Sequence, residues 1–478
     1  MAKVQSTSRK VFNALSMFGS VQVVMILCSV VRTKVVALWL GPAGVGIFGL
    51  YNNALQALNQ LVQLNMNDSS VREISGASAR QQSRITGAVR RLGWILGLAG
   101  CALTVMLAPL LSRWTFGDSS HTVPFICLSL VVLLGAVSES QKAMLQAHRL
   151  LKRLARATLW GGVVATVLSI LLVKLYGYDG IVPSFIVFSA ASFIAYAIES
   201  RVVVSGKVTT AETIALVGPI LRLGIYMTIA VFITVVSQYV FQAWLRAESG
   251  EEELGLFQAG YTLINRYVGL AFVAMSVEFF PRLASVVSSK YRTQLYVRHE
   301  MSMLMLGLTG CVVLFINLVP VIISLLYDTT FSAATGYVTI AAVGTMLKAV
   351  SFVLAYVIVA RGDGMIYLVT EFISAALYLV LNIVGYRLYG LDGVGGAYII
   401  WYLAYTLSVF LVYRYRYHLG GISRQLLNAA TYIIIVAIQA ALCMSGRYLI
   451  ATIVSVIVVP SVGLMFYRTF LKRRTLNE

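Results

Sequence analysis

Leu175-Tyr-Gly-Tyr-Asp-Gly180 and Leu388-Tyr-Gly-Leu-Asp-Gly393 are nearly the same hexapeptide, 213 residues apart. Other fragments return at almost the same shift. Gly46-Ile-Phe48 comes back as Gly255-Leu-Phe257, and the segment Pro109 to Ser112 returns loosely as Pro320 to Ser324. Offsets confined to 209–213 point to one membrane unit copied within the chain. Two like halves facing each other are a common way to build a carrier, because they enclose a site near the bilayer midplane.

Hydrophobic residues make up 59% of the 478 and charged residues 12%, about half the charged share of a soluble domain. Apolar runs recur along the whole chain and leave no room for a soluble domain of useful size. A span needs about 20 apolar residues. On that rule fourteen helices are expected, roughly 12–40, 44–70, 92–111, 122–145, 157–176, 181–203, 214–245, 256–280, 302–326, 333–360, 365–386, 393–413, 425–444 and 448–468. The first is read as an uncleaved helix rather than a signal peptide, since it is long and carries Arg32 and Lys34. The fold class expected is all-α integral membrane: two pseudo-symmetric six-helix lobes, 1–210 and 211–424, then two additional helices and a basic tail over 425–478.

Charge sets the orientation. With an even number of spans both termini share one side, and the connections on that side carry 27 of the 37 basic residues. That side is therefore expected to be cytoplasmic. The net charge of +19 is mostly this signal and gives no reason to invoke nucleic acid. Cysteines 28, 101, 127, 311 and 443 sit in apolar runs without ligand spacing, and the four histidines lie near loops. Neither a metal site nor a cofactor is expected.

A few charges fall inside predicted spans: Arg32, Lys34, Arg222, Arg266 and Lys348, with Asp68, Glu139, Glu199, Glu278 and Glu371 in or near them. A charge at a helix centre costs about 2.5–3.5 kcal/mol on insertion scales, so it faces a cavity, pairs with a partner or snorkels to an interface. Structural pairing is the reading for Lys34, Arg222 and Glu199. The second predicted helix is more informative. Asn52, Gln56, Asn59, Gln60, Gln63 and Asn67 follow helical spacing and form one polar stripe. The eighth repeats it more weakly with Gln258, Thr262, Asn265, Gly269 and Ser276, with Arg266 at the margin. Gln238 and Gln242 stand on the seventh. Interhelical hydrogen bonds account for two or three amides, and six on one face favour a wet cavity.

Several patterns are set aside. Gly44-Val-Gly46-Ile-Phe-Gly49 has dinucleotide-loop spacing but no surrounding strand. Gly93 and Gly97 read as a helix-packing pair. Tyrosines and tryptophans near span ends read as interfacial anchors.

The turn Leu40-Gly-Pro-Ala-Gly-Val-Gly-Ile-Phe-Gly49 and the segment Glu253-Leu-Gly-Leu-Phe-Gln258 resemble those of bacterial polysaccharide-unit flippases. These belong to the multidrug/oligosaccharidyl-lipid/polysaccharide exporter superfamily, and the likeness is strongest to the branch moving O-antigen or enterobacterial-common-antigen repeat units. The resemblance implies a multi-pass protein of the bacterial inner membrane, with helices 1, 2, 7 and 8 lining a central cavity. It also implies an undecaprenyl-diphosphate-linked oligosaccharide as cargo, with a polysaccharide polymerase and a chain-length regulator as partners. Arg32 and Arg266 would face the diphosphate. The amides Asn52, Gln56, Asn59, Gln60, Gln63, Asn67, Gln238, Gln242 and Asn265, with Thr262, would face the sugars, and Lys348 is a further candidate for contact with the cargo. Asp68, Glu139, Glu278 and Glu371 are the candidates for ion coupling. The rival readings are a drug/cation antiporter of the same superfamily and a membrane polymerase or ligase. No nucleophile–base pair is visible in the sequence, so an enzyme is not expected.

Overall fold

In the computed structural model the described residues are 2–477, apart from 65, 77–78, 149, 205, 207–208, 270–271, 273–278, 280–282 and 284–285. Side chains at 2–20, 22–23, 68–69, 72, 75–76, 79–80, 210–211, 213–227, 230, 266–267 and 469–477 are not part of the description. The described residues form helices and turns and no strand. These are α1 (Ala2–Gln63), α2 (Met66–Gly76), α3 (Ala79–Phe116), α4 (Thr122–Ala147), α5 (Leu151–Tyr176), α6 (Ile181–Ser200) and α7 (Thr210–Thr262). There follow α8 (Lys290–Leu326), α9 (Ala334–Ala360), α10 (Gly364–Leu411), α11 (Ser423–Met444) and α12 (Tyr448–Asn477). Among the described residues nine helical stretches are long and apolar enough to cross a bilayer, so the chain is a multi-pass membrane protein.

Three of those stretches, Val24–Gln63, Leu151–Ser200 and Gly364–Arg416, are 40, 50 and 53 residues long. Each is broken where the sequence expects a connection. In α1 the break is Gly41 (φ 63°, ψ −166°), between α5 and α6 it is Gly177 (φ 57°, ψ −128°), and in α10 it is Gly390 (φ 59°, ψ −142°). α7 is broken in the same way at Gly250 (φ 86°, ψ −176°). Residues with a Cβ are nearly excluded from this part of backbone space, so a glycine turns the chain at each break. It acts alone at Gly41 and Gly250, together with Tyr389 at Gly390, and at the head of the 3-10 turn Gly177–Gly180. The ten-residue connection expected from Arg246 to Gly255 is thereby corrected: helix continues through it, and Gly250 alone leaves helical geometry.

These breaks carry the repeat into three dimensions. Gly41 and Gly250 are 209 residues apart, and Gly177 and Gly390 are 213 apart. Pro109 inside α3 and Pro320 inside α8 differ by 211, and the ends of α4 and α9, Ala147 and Ala360, by 213. The last glycine of each hexapeptide has the same task. A Cβ on Gly180 would strike the carbonyl oxygen of Leu172, and one on Gly393 would strike that of Gly385, again 213 residues on. The helix after the break is thus held hard against the last turns of the one before it. Tyr178 adds a tie in the first copy, its hydroxyl donating at 2.9 Å to the Leu40 carbonyl just before the Gly41 break. A helix end otherwise leaves that oxygen unsatisfied.

The chain divides into two compact units, Met1–Glu253 and Leu254–Glu478. In the first, α3 packs along α4, α5 along α6, and α4 on α6. Gly93 and Gly97 make the α3–α4 approach close: a Cβ there would lie 2.5 Å from Ser140 Oγ and 2.9 Å from Leu133 Cδ1 of α4. In the second unit α9 packs along α10, and α8 lies against α9, α11 and α12.

Candidate functional site

The polar stripe of the first unit lies on α1 beyond the Gly41 break. Gln56 is exposed, and Asn52, Asn59, Gln60 and Gln63 are half-buried. Gln63 Nε2 donates to Asn59 Oδ1 at 3.3 Å. Both lean on α4 at Gly135, where a Cβ would stand 3.1 Å from Asn59 Oδ1. The stripe ends sooner than the spacing predicts. Leu64 has a left-handed φ of 47° and closes α1, so Asn67 belongs to the short α2 and is not continuous with the other five. α2 docks through Met66 and Ile74 onto α3 and α4, because its apolar residues share one face.

Arg32 lies on the arm before the break, half-buried, with its guanidinium carbon 4.7 Å from the Phe188 ring centroid and 5.2 Å from that of Phe48. Phe48 stacks in turn on Phe185 at 4.6 Å. Aromatic faces stabilise a partly desolvated cation by about 0.5–2 kcal/mol. Asn53, absent from the predicted stripe, is buried and donates to the side-chain oxygen of Gln242 in α7. Gln242 is fully buried, and the pair ties α7 to α1. Gln238 is half-buried.

The tie continues toward the Gly250 end of α7. Thr115 and Tyr239 share a hydrogen bond between hydroxyls, and Arg246 reaches the Thr115 carbonyl at 3.4 Å and Glu251 at 2.9 Å. The Arg246 guanidinium stands 4.7 Å from the Phe116 ring, and His121 stacks on the same ring at 3.7 Å. Tyr51 and His121 Nδ1 are 2.7 Å apart. Burial lowers the pKa of His121. Arg246, Glu251 and Phe116 line a cleft of about 730 Å³ within this unit.

In the second unit the structure joins two residues that the sequence only nominates. Asn265 sits in the π-helical turn Leu263–Val268 that continues α7, a distortion that recurs at functional sites. Its Oδ1 accepts from Lys348 Nζ of α9 at 3.2 Å and from the Tyr398 hydroxyl of α10 at 3.4 Å. Lys348 Nζ also stands 5.4 Å from the Phe272 ring and 5.5 Å from the Tyr402 ring. Among the described residues no carboxylate pairs with it. Its charge is therefore held by one neutral amide and two ring faces.

Aromatic side chains surround this group. Tyr398 and Tyr402 meet edge to face at 4.8 Å, Trp401 lies 4.3 Å from Tyr402, and Tyr378 lies 4.9 Å from Trp401. Trp401 Nε1 donates to Ser374, at 2.9 Å to its carbonyl oxygen and 3.0 Å to Oγ. The Tyr405 hydroxyl donates to Glu371 Oε1 at 2.6 Å. The interfacial-anchor reading covers only tyrosines and tryptophans near span ends and does not single out this set. Tyr398, Trp401, Tyr402 and Tyr405 stand at i, i+3, i+4 and i+7, which is a legible helix face.

The remaining candidates separate. Glu139 pairs with Lys142 one turn away at 3.3 Å. Glu199 is bound by Arg156 at 2.5 Å and Arg153 at 3.4 Å, the structural pairing expected of it. Thr262 is half-buried. The side chains of Asp68, Arg222, Arg266 and Glu278 lie outside the described residues.

A family model described as "Polysaccharide biosynthesis protein" matches residues 11–287, more than half of the chain. Lipid III flippase of Escherichia coli (strain K12) is 20% identical over 396 residues, covering 80% of this chain and 94% of that protein. A lipid II flippase in an inward closed conformation superposes with a TM-score of 0.70 at 14% identity, over 96% of this chain and all of the other. An inward-facing multidrug transporter of the multidrug/oligosaccharidyl-lipid/polysaccharide exporter superfamily gives 0.66 at 14% identity, over 83% of this chain and 94% of that one. The fold is that of the superfamily, and these relatives are flippases and transporters, not enzymes. The chain belongs to the polysaccharide biosynthesis protein family.

Proposed function

We propose that this protein flips an undecaprenyl-diphosphate-linked oligosaccharide repeat unit, of O-antigen, enterobacterial common antigen or a related surface polysaccharide, from the cytoplasmic to the periplasmic leaflet of the bacterial inner membrane. The observation that carries this reading is Lys348, a cation that meets an amide and aromatic rings but, among the described residues, no carboxylate. Such a group can compensate an anionic cargo, whereas a drug/cation carrier needs the opposite sign. Near-full-length similarity to a lipid III flippase supports the same cargo class.

In this proposal the chain has fourteen spans. The Gly41, Gly177 and Gly390 breaks each separate two spans, and the two arms about Gly250 supply two more. Residues 1–210 and 211–424 are the copied lobes, 425–478 the added pair of helices and tail, and both termini are cytoplasmic. Arg32, Arg266 and Lys348 offset the diphosphate, Arg being suited to paired phosphate oxygens. The amides of α1, with Asn67, Gln238, Gln242, Thr262 and Asn265, serve the sugar hydroxyls. Access alternates between the two sides of the membrane. Asp68, Glu139, Glu278 and Glu371 are the groups to test for ion coupling, and a polymerase and chain-length regulator would receive the product. The test is chemical: cells lacking the protein accumulate a lipid-linked oligosaccharide on the cytoplasmic face. A normal pool of such intermediates in those cells, with surface polysaccharide intact, overturns the assignment.

A further inference from the structure

A second polar cavity, of about 520 Å³, lies in the second unit between α8, α11 and α12. Ser302, Arg424, Gln425, Asn428 and Arg468 form its polar wall, and Met301 and Met305 its apolar one. It shares no residue with the Lys348 cluster. Its lining contains two arginines and no carboxylate. Among the described residues neither arginine has an ion-pair partner. The side-chain oxygen of Gln425 is buried and has no hydrogen-bond partner, so the site holds polar capacity that the protein does not satisfy. Arg424 and Gln425 stand in the first turn of α11, a helix of 22 residues, whose amide dipoles favour an anion at that end.

We propose that this cavity binds the phosphate headgroup of an anionic phospholipid. Guanidinium and amide donors on one wall suit phosphate oxygens. Basic pockets between transmembrane helices take such headgroups on the cytoplasmic side. A lipid is favoured over free phosphate because the surroundings suit acyl chains: Leu427 of α11 and Leu464 of α12 are 69% and 54% exposed. The sequence adds Lys472, Arg473 and Arg474 just beyond Arg468, which raises the local concentration of anionic lipid. The lipid is a bound component of the protein, and the inference does not depend on what the transporter carries.

The experiment is native mass spectrometry of the full-length protein released from micelles. The probes are phosphatidylglycerol, phosphatidylcholine and undecaprenyl phosphate. The expected result is retention of phosphatidylglycerol in preference to both others. Retention should weaken about tenfold or more in the Arg424→Gln/Arg468→Gln double variant and persist with lysine at both positions. The single Arg468→Gln variant, at an exposed site, keeps the test readable if the double variant does not accumulate. Equal retention of phosphatidylcholine, or no loss in the glutamine variants, overturns the proposal. Displacement of phosphatidylglycerol by undecaprenyl phosphate does so too, since the cavity would then belong to the cargo path.

Discussion

Lys348 and Asn265 define what individual residues contribute. Removing the amide leaves two donors, Nζ of half-buried Lys348 and the hydroxyl of buried Tyr398, without their shared acceptor. Asn265→Leu should therefore lower stability by about 1–3 kcal/mol, read as an earlier thermal transition of the purified protein. Lys348→Gln removes charge but keeps a donor. It should cut flipping in reconstituted vesicles about tenfold while membrane levels hold, and unchanged flipping would take Lys348 out of the site. A third residue gives a pH signature. His148, beside Thr86 Oγ1 at 3.0 Å, has its pKa lowered by burial. The unfolded imidazole titrates near 6.5, so its contribution is intact above that pH and is lost as pH falls toward the lower folded value. Melting curves between about pH 8 and about pH 5 should show the decline, and His148→Gln should flatten part of it. The amides and Lys348 are legible in the sequence because polar residues stand out in apolar runs. The pairing of Lys348 with Asn265 is not, since they are 83 residues apart and meet only through helix packing. Asn53 was hidden for a different reason: it flanks the stripe, and only contact with Gln242 distinguishes it.

At the scale of elements, glycine sets both where helices break and how closely they pack. The breaks at Gly41 and Gly250 lie in backbone space that costs other residues about 1–3 kcal/mol. Gly250→Ala should lower the melting temperature of the purified protein, whereas Gly463→Ala, in α12 with open space around it, should not. The Gly93–Gly97 face makes a complementary prediction. Leucine at position 97 must displace Leu133 of α4, so Gly97→Leu should cost about 1–3 kcal/mol, seen as loss of the monodisperse peak on heating. Span identity was readable from hydropathy and the hexapeptides, but the economy of the connections was not. Longer loops were expected where short corners centred on a glycine suffice, because acidic and polar side chains flanking Gly250 look like a loop yet remain compatible with helix at a water boundary. The end of the stripe at Leu64 was likewise invisible, for leucine carries no turn signal.

At the scale of the molecule, the breaks at Gly41 and Gly250 and at Gly177 and Gly390 recur at the spacing of the sequence repeat, 209 and 213 residues. The proposed orientation places both termini with the basic connections. A fluorescent reporter fused after residue 478 should therefore be bright and a phosphatase fusion silent, and the reverse outcome would invert the topology. The four glycine corners, at 41, 177, 250 and 390, then all fall on the other face of the membrane. A protease needs several residues of extended chain to thread its cleft, and corners of one or two residues, or a single 3-10 turn, supply none. Intact spheroplasts should thus shield the protein from digestion at these corners, while inverted vesicles expose the irregular segment 417–422 to cleavage.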